Sequence, residues 1–356
     1  MGAWVVRKMK IGYWPLSQSL SSPGDRRRLV FWAQSRGHQI ITDLNQKVDV
    51  IVASEKSDFN SGYFARRKVP VIFDLIDGYL SPLNSRDDLA RGFAKRLSGH
   101  ISGGIKPFSK HVKDFCLAAD GVICSSTEQE QLIKRYSSNT HVILDSHEEL
   151  PFIAADRLRF TTGGNFQVLW EGQPATIRGV RQISSVLSKM NETYRLNYSF
   201  VTDQQYFQFL GSYLERSTLT LLKKDLGRIK DDINLIQWTL GNLVSTARQS
   251  AIAMIPIDLS VPIQRLKPEN RLLIMWRLGL PCLTSPSPAY IRVAKKAGVN
   301  GICEDLEAWQ SNFHRLLNSP SFAFEEIERG QNYLHENHTK AILLEKWDRA
   351  MESVLN

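Results

Sequence analysis

The residues best suited to chemistry lie in one segment of the second half of the chain, Lys267-Pro268-Glu269-Asn270-Arg271. An apolar run from Leu272 to Leu278 follows it, with Arg277 as its polar member, and then Gly279. Proline at a first helical turn and glycine after the last are typical boundaries, so the pattern predicts a helix opened by Pro268. Its free N–H groups and two cations would attract an anion. We expect a nucleoside diphosphate as the ligand.

A second interpretation of these charges requires no ligand. A helix that is apolar on nearly all sides is buried in the protein interior. Lys267 and Arg271 would then be solvated charges beside an ordinary core helix, since proline-started helices with basic neighbours are common. The sequence alone leaves both interpretations open.

Strands and helices alternate around this segment in two sets, separated by the irregular residues 151–165. The predicted strands are Lys10–Trp14, His38–Thr42, Val48–Ala53, Val69–Phe73, Gly121–Cys124, His141–Leu144, Phe166–Trp170, Leu196–Val201, Ile233–Trp238, Ala251–Ile257, Pro281–Thr284 and Gly301–Cys303. The other predicted helices are Asp25–Arg36, with Asp25 as its N-cap, Arg91–Asp120, Thr127–Tyr136, Gly179–Met190, Gln204–Leu226, Leu240–Gln249 and Ala289–Ala297, with more helices towards the end.

This alternation predicts an α/β fold in which parallel sheets carry helices on both faces. At 356 residues the chain exceeds the usual size of one hydrophobic core, so two domains are expected. We predict two Rossmann-like domains facing across a cleft, at residues 1–160 and 161–335. Residues 336–356 should form a helix that packs back on the first domain.

Composition narrows the class of protein. Hydrophobic residues make up 42% and charged residues 23%, which is typical of soluble globular proteins. No apolar run approaches the ~18 residues of a membrane span, and the N-terminus lacks the features of a signal peptide. We therefore expect a cytoplasmic protein. The net charge of +9 favours an acidic partner, but the basic residues form no zinc finger or dense tail, so nucleic acid is not expected.

Cysteine and histidine give no sign of a metal site. Cys116, Cys124, Cys282 and Cys303 are scattered singly in apolar surroundings, as reduced core thiols are. His335 and His338 lie three residues apart without a third ligand nearby, so a surface pair is the better interpretation than zinc. We expect no metal and no cofactor.

Four segments of the sequence together resemble one family. They are GDRRRLVFWAQSRGH from Gly24, AADGVICSSTEQEQLIKRY from Ala118, VLWEGQPATIRGV from Val168, and Lys267–Leu283. In this order they resemble the glycosyltransferases of GT-B fold, in particular the large retaining branch with many bacterial surface-polysaccharide enzymes (glycosyltransferase family 4-like). The resemblance covers nearly the whole chain and is strongest in its second half.

The chain departs from that branch at one motif. The branch carries two glutamates eight positions apart on the donor-site helix, and the corresponding positions here are Leu266 and Ile274. We therefore regard the chain as a divergent relative in which Lys267, Asn270 and Arg271 take over contacts to the diphosphate and the sugar. The donor sugar and the stereochemical outcome stay open.

Carried over by position, the resemblance implies a donor site made of Gly172, Arg178, Gln237, Trp238, Lys267, Glu269, Asn270 and Arg271. Gly172 would let the backbone approach the diphosphate, and Arg178 stands where the family has a phosphate-binding lysine. The Gln237-Trp238 segment would read the base through backbone groups and cover it with the indole. Core packing is the alternative role for Trp238.

On the acceptor side the candidates are Asp74 and Asp77, just beyond a predicted buried strand. The carboxyl ends of such strands are where α/β folds place ligands. Either carboxylate would serve as general base or orient the acceptor hydroxyl, and a loop aspartate that caps a turn is the alternative. The serine-rich loop 15–24 after the first strand should lie at the same cleft.

The sequence thus predicts a glycosyltransferase, hexosyltransferase-like, that moves a sugar from a UDP- or GDP-sugar to a glycan or lipid-linked acceptor in surface-polysaccharide synthesis. A GT-B nucleotide-sugar epimerase and a non-enzymatic nucleic-acid-binding protein are the alternatives. Steep salt-dependent binding to nucleic acid would favour the last of these.

A basic stretch in the first half suggests where a membrane would bind. Six cations alternate there with apolar residues between Arg91 and Phe115. If the acceptor is lipid-linked, this stretch would dock on the anionic inner face of the membrane as a peripheral contact. The alternative is a helix whose apolar residues are core and whose charges are solvated.

Overall fold

The computed structural model describes residues 8–58, 64, 69–81, 85–99, 101–156, 165–207 and 215–355. Most of the predicted interdomain connection, including the predicted boundary at residues 160 and 161, lies outside these residues. The chain divides into two compact units. The first unit comprises Met1–Ser146 and Lys340–Asn356, and the second comprises His147–Thr339.

The first unit is built on a parallel six-stranded sheet in the order β2-β1-β3-β4-β5-β6. Its strands are β1 (Lys10–Trp14), β2 (Gln39–Ile41), β3 (Val50–Ser54), β4 (Val71–Leu75), β5 (Gly121–Cys124) and β6 (Thr140–Val142). Its helices are α1 (Pro23–Arg26), α2 (Leu29–Arg36), α3 (Ser85–Leu97), α4 (Phe108–Ala118), α5 (Thr127–Ile133) and α15 (Lys340–Leu355). Strands β3 and β4 are buried along their whole length, as parallel strands covered by helices on both faces must be.

The predicted helix Asp25–Arg36 is two helices, α1 and α2. Ser22, not Asp25, is the N-cap residue of α1. The carboxylate of Asp25 accepts hydrogen bonds from the Tyr13 hydroxyl at 2.6 Å and from the backbone N–H groups of Leu16 and Ser17 at 2.8 and 2.9 Å. Because its oxygens are used in this way, Asp25 holds the loop after β1 and does not cap a helix.

The second unit contains a parallel five-stranded sheet in the order β11-β8-β7-β12-β13. Its strands are β7 (Asn165–Glu171), β8 (Arg195–Thr202), β9 (Gln205–Phe207), β10 (Glu215–Ser217), β11 (Ile233–Gln237), β12 (Ile252–Ile255) and β13 (Cys282–Thr284). Its helices are α6 (Arg178–Gln182), α7 (Ser184–Thr193), α8 (Thr218–Asp225), α9 (Leu240–Gln249), α10 (Pro262–Arg265), α11 (Asn270–Arg277), α12 (Pro288–Ala297), α13 (Leu306–Asn318) and α14 (Pro320–Asn337).

Two predicted elements of the second unit are wrong. Where a helix was expected over Gln204–Leu226, β9 and β10 pair as an antiparallel ladder, and among the described residues of this range only α8 is helical. Gly301–Cys303 forms no strand and contributes one isolated bridge from Ile302 to Thr284.

The donor-site helix predicted at Pro268 is α11, and it begins two residues later than expected. Glu269 is its N-cap and Asn270 its first residue, so Pro268 lies outside the helix. Gly279 follows the helix with φ of 69°, in agreement with the predicted glycine stop. Five consecutive residues of α11, Leu272–Trp276, are buried.

Among the residues that the structure describes, no helix combines the length and the apolar composition needed to cross a membrane.

Candidate functional site

The strand order of the second unit marks the place for a ligand. The connections from β7 lead to β8 and β11 on one side of it, and the chain then returns to β12 on its other side. At such a reversal the loops after two adjacent strands diverge and leave a crevice at their carboxyl ends. Here these loops begin at Gly172, after β7, and at Pro256, after β12.

Gly172 and Arg271, predicted separately, are neighbours at this reversal. A Cβ atom at position 172 would lie 3.1 Å from Cζ of Arg271 and 2.9 Å from the Thr176 hydroxyl. A larger residue would therefore displace the guanidinium group. Glycine is required here for the close approach of the α11 N-terminus to the loop after β7.

Arg271 is held from two sides. Its guanidinium lies 5.3 Å from the ring centroid of the buried Trp170, and its Nη2 donates a hydrogen bond to the backbone oxygen of Glu171. Its Nε lies 3.6 Å from Oε2 of the Glu171 carboxylate, and the two side chains are 21% and 12% exposed. Arg271 is therefore fixed in position, and its side chain keeps part of its surface exposed.

Three polar atoms of this group are buried without a hydrogen-bond partner among the described residues. They are Nε of Arg271, Oε2 of Glu171 and Oδ1 of Asn270. Buried polar atoms in proteins are nearly always hydrogen-bonded, so each such atom calls for an explanation. Nε of Arg271 and Oε2 of Glu171 face each other at 3.6 Å as an ion pair, slightly too far apart for a hydrogen bond. A ligand that brings anionic oxygens and hydroxyl groups would supply hydrogen bonds to this cation and to Oδ1 of Asn270.

Glu171 also connects this group to Trp238. The indole Nε1 of Trp238 donates a hydrogen bond to Oε1 of Glu171 at 3.0 Å, and the Trp238 side chain is half-buried. The strand β11 thus brings a flat aromatic group to the carboxylate at the end of β7. This hydrogen bond fixes the orientation of the indole ring and is compatible both with a ligand-covering role and with packing in the protein.

The backbone groups at Gln237 and Trp238 already form hydrogen bonds within the protein, whereas the resemblance implied that this segment reads the base through its backbone. Its carbonyl oxygen accepts a hydrogen bond from Nδ2 of Asn242 at 2.9 Å, and the N–H of Trp238 donates to the Thr202 oxygen at 2.9 Å. The Gln237 side chain bonds Asp203 and the N–H of Gln204. These groups therefore already have partners within the protein, and only the second lone pair of the Gln237 oxygen would accept a further hydrogen bond.

Arg178 is the first residue of α6 and its side chain is 67% exposed. Its Nε lies 3.9 Å from Oδ2 of Asp258, which follows β12. Asp258 is itself fixed by Gln182 and Ser260, and although burial raises its pKa, these hydrogen bonds outweigh burial and lower the pKa overall. A Cβ atom at Gly179 would lie 2.2 Å from the Pro256 oxygen, so this glycine is what lets α6 approach β12.

Lys267 and Glu269 lie just before α11. Lys267 is half-buried, and its N–H donates to the Gln264 oxygen. Glu269 is 3% exposed and forms an ion pair with Arg292 at 3.3 Å. Its position as N-cap and this pairing give Glu269 a structural role at the start of the helix.

In the first unit the strand order reverses between β1 and β3. The loop after β1 is the predicted serine-rich loop, and Lys56, after β3, donates from Nζ to the Leu16 oxygen at 2.5 Å. This edge of the sheet is the place for a ligand in the first unit, for the same topological reason as in the second.

Asp74 is paired inside the protein. It is 1% exposed, and Nε and Nη2 of the fully buried Arg28 donate to its carboxylate at 2.5 to 3.2 Å. Burial lowers the pKa of Arg28, but the adjacent Asp74 and Asp145 carboxylates outweigh this and raise the pKa overall. A carboxylate that neutralises a buried arginine is not free to accept a proton from an acceptor, so the structure gives Asp74 a structural role.

Asp77 is more accessible. It is half-buried, its N–H donates to Oε2 of Glu55 at 3.1 Å, and the Tyr79 hydroxyl donates to its carboxylate at 3.4 Å. Glu55 follows β3 directly, at the strand reversal. Lys95 is near these acids, and burial lowers its pKa. Asp77 and Glu55 are therefore two half-buried acids that lie together beyond the carboxyl ends of β4 and β3.

Sequence reasoning did not identify Glu171, Asp258 or Glu55. Each is an acid at the end of a buried parallel strand or within three residues after it. That position is the available signal, and the predictions used it only for Asp74 and Asp77. Among the described residues, no group of three or more His, Cys, Asp or Glu side chains could hold a metal ion.

No protein-family model and no curated protein sequence matches the chain. Solved structures do match it. Sucrose-phosphate synthase from Thermosynechococcus elongatus gives a TM-score of 0.58 at 12% identity over 86% of this chain and 73% of that one. WaaG, a glycosyltransferase involved in lipopolysaccharide biosynthesis, gives 0.55 at 13% identity over 96% and 98%.

A point mutant of TarM from S. aureus, in complex with fondaparinux, alpha-GlcNAc-glycerol and UDP, gives a TM-score of 0.57 at 10% identity. The match covers 85% of this chain and 55% of that one, so the chain spans about half the length of TarM. These likenesses show the fold. The chain has the GT-B glycosyltransferase fold with two Rossmann-like domains, which confirms the predicted fold class.

Proposed function

We propose that this protein is a glycosyltransferase that moves a sugar from a nucleoside-diphosphate sugar to an acceptor hydroxyl. The observation that carries the proposal is the group of Glu171, Asn270 and Arg271 at the strand reversal of the second unit. It combines a fixed, partly exposed arginine with buried acceptor oxygens that have no hydrogen-bond partner among the described residues. A sugar linked to a diphosphate supplies the anionic oxygens and the hydroxyls that these atoms require.

The proposed chemistry explains why cations are needed at this place. The acceptor oxygen forms a bond to the anomeric carbon, the bond from that carbon to the phosphate oxygen breaks, and the nucleoside diphosphate departs with the electron pair. Negative charge therefore builds on the phosphate in the transition state. Arg271, Arg178 and Lys267 would stabilise this charge more strongly than that of the bound substrate, which is what accelerates the step.

The acceptor hydroxyl must lose its proton in this reaction. Asp77 is our candidate for the group that accepts it, with Glu55 beside it, because the pair lies at the strand reversal of the first unit. Asp74 is not a candidate for this role, because its carboxylate neutralises the buried Arg28.

The donor is proposed to be a UDP- or GDP-sugar, the transferred group a hexose, and the acceptor a glycan or a lipid-linked glycan of a surface-polysaccharide pathway. The solved structure of TarM with UDP supports a uridine nucleotide, and WaaG supports a pathway of surface glycans. We further propose that the enzyme works in the cytoplasm at the membrane surface and uses neither a metal nor a cofactor.

A thermal-shift panel with UDP, GDP, ADP, CMP and dTDP tests the donor site. At a concentration 100-fold above its dissociation constant, the correct diphosphate should stabilise the protein by about 2.7 kcal/mol, and its bare nucleoside should do so weakly. Arg178→Ala should weaken the effect. Arg181→Ala is the matched control, because its side chain, on the same helix, is 71% exposed and pairs with Asp225 instead.

Absence of a melting shift with every diphosphate at millimolar concentration would contradict the donor site. A shift that depends on a nucleotide sugar but shows no acceptor-dependent turnover would instead favour the epimerase.

A further inference from the structure

The exposed apolar side chains of the described residues are unevenly distributed. Nine large ones are exposed, and five of these lie between residues 89 and 117 of the first unit: Leu89, Phe93, Leu97, Ile105 and Leu117. Single exposed apolar residues are normal, but a concentration on one small part of a surface marks a site of interaction.

Three of the five form a stripe on α3. Leu89, Phe93 and Leu97 follow at intervals of four residues, so they lie on one side of the helix, and they are 44%, 45% and 62% exposed. The opposite side of α3 faces the protein. Asp88 there accepts a hydrogen bond from the N–H of Ser109, and a Cβ atom at Gly92 would lie 2.1 Å from the Lys106 oxygen. The apolar side of α3 is thus the outer one, the reverse of an ordinary surface helix.

The structure divides the basic stretch predicted from the sequence into two groups. Ile101, Phe108, Val112 and Phe115 are core residues, as the alternative interpretation required. Arg91 and Lys95 lie over the rings of Tyr79 and Phe108. Phe93, Leu97 and Ile105 remain outside, with Arg96, Lys110 and Lys113 as exposed cations. Lys113 differs from the other two because its Nζ lies over the ring of Tyr136, 4.9 Å from the centroid.

These three cations flank the apolar stripe or lie on the helix packed against it. Arg96 is on the outer side of α3, next to Leu97, and Lys110 and Lys113 are on the exposed side of α4. Within the described part of the chain none of the three forms an ion pair with a carboxylate. Arg86 is also exposed on the outer side of α3, and the exposed acid Asp87 lies at its margin.

The outer face of α3 would be covered either by a second copy of the chain or by a lipid surface. Its charge distinguishes between these two partners. In a symmetric pair of two copies the same patch meets itself, so the cations of one copy would face those of the other. Like charges placed together in this way oppose association. An anionic lipid surface instead attracts Arg96 and Lys110 while it takes up Leu89, Phe93 and Leu97. The chain as a whole carries a net charge of +9, which adds to this attraction.

We propose that the outer face of α3 is the membrane-docking surface of this protein, with Leu89, Phe93 and Leu97 inserted among the lipid headgroups of an anionic bilayer. The proposal rests on the proposed function only where it makes the acceptor lipid-linked. Binding to lipid vesicles and binding of a nucleoside diphosphate are separate measurements, so either can fail without the other.

The test is sedimentation of the full chain with vesicles of phosphatidylcholine alone and with about 30% phosphatidylglycerol, a probe composition of about physiological charge density. The protein should bind the anionic vesicles and not the neutral ones. The double variant Phe93→Ser, Leu97→Ser should lower the partition coefficient about tenfold or more, because each side chain buries apolar area in the bilayer. Both residues are exposed, so the fold should be unaffected.

Ile291→Ser is the matched control, since Ile291 is 44% exposed on α12 of the second unit and should not affect vesicle binding. Arg96→Glu should weaken binding to anionic vesicles alone. Equal, negligible binding to both vesicles would overturn the proposal, as would unchanged binding by the double variant. A dimer in solution that the double variant dissociates, without vesicle binding, would show that a second copy covers α3.

Discussion

Two arginines at the carboxyl ends of the two sheets have opposite surroundings. Arg28 of the first unit is fully buried, and its guanidinium donates to Asp74, Asp145, Ser125 and the Ile143 oxygen. Arg271 of the second unit is partly exposed, and its Nε has no hydrogen-bond partner among the described residues. Both lie near a carboxylate, so the presence of an ion pair does not separate them. The difference lies in how many of their donors are used.

This difference indicates what each arginine does. A guanidinium group has five N–H donors, and burial without partners costs free energy for each of them. Where the protein supplies the partners, as around Arg28, the group is part of the folded structure. Where the protein supplies only a carboxylate at 3.6 Å, beyond hydrogen-bond distance, as it does for Nε of Arg271, a ligand is expected to complete the hydrogen bonding.

The largest effect expected is on stability, from Arg28→Met. Methionine has a comparable length and no charge, so Asp74 and Asp145 would stay buried without their partner. The free energy of unfolding should fall by about 3–5 kcal/mol, the usual result of removing one side of a buried ion pair. Urea denaturation followed by circular dichroism measures it.

Arg271→Met is the matched control and should lower the free energy of unfolding by no more than about 1 kcal/mol, the range of a weak, partly exposed pair. Equal losses in the two variants would break the comparison. A second change, Asp74→Leu in the Arg28→Met background, should restore part of the lost stability, since an apolar replacement of a buried pair is tolerated.

The next largest effect is on the proposed reaction, from Arg271→Ala. Loss of one donor to a charged transition state typically costs about 2.7–4 kcal/mol, which is roughly a 100- to 1,000-fold fall in turnover. Lys267→Ala and Arg178→Ala should lower turnover on the order of 10- to 1,000-fold. The measurement is kcat with the nucleotide sugar whose diphosphate raises the melting temperature.

The melting temperatures of the variants should distinguish a loss of catalysis from misfolding. The melting temperature of each variant without nucleotide should stay within a few degrees of the unaltered chain. Turnover equal to that of the unaltered chain in all three variants would show that these cations are merely solvated, which is the interpretation that needs no ligand.

The sequence predicts the features of the structure that depend on residues close together in the chain, and it does not predict those that depend on contacts between distant residues. The bounds of β1, β5 and α9 agree with those read from the sequence, because apolar spacing within one element decides them. The split of Asp25–Arg36 into two helices falls at Arg28, whose backbone is not helical and whose side chain reaches Asp74 and the Ile143 oxygen, contacts that no local pattern contains.

The same distinction between local patterns and long-range contacts applies to the candidate site. The glycine at position 172 and the cation at 271 each had a local signal, and the structure brings them into contact. The role of Asp74 depended instead on an ion pair with Arg28, 46 residues away, which the sequence does not indicate. Glu171 had no motif of its own, and only the fold places it between Trp238 and Arg271.

The comparison of the two units extends to histidine. In the first unit, burial lowers the pKa of His38, His111 and His141. Two contacts fix the position of the His38 ring. Its Nδ1 accepts a hydrogen bond from the Met9 N–H at 3.3 Å, and its centroid lies 4.6 Å from that of the Trp32 ring. Protonation of Nδ1 would remove this acceptor. Asp348 opposes the effect of burial on His38, and Arg36 adds to it.

The smallest predicted effect follows from this lowered pKa. Because the folded state holds His38 neutral, the unfolded state binds more protons once the pH falls below the ordinary histidine pKa of about 6.5. The stability that the neutral ring contributes is therefore complete above that pH and is lost as the pH falls towards the folded-state pKa. We expect the difference in free energy of unfolding between about pH 7.5 and about pH 5.5 to be smaller in His38→Gln than in the unaltered chain.

His335→Gln, at an exposed position on α14 of the second unit, is the control and should leave that difference unchanged. Urea denaturation at the two pH values measures it, and an unchanged difference in His38→Gln would show that this histidine is not part of the acid sensitivity of the first unit.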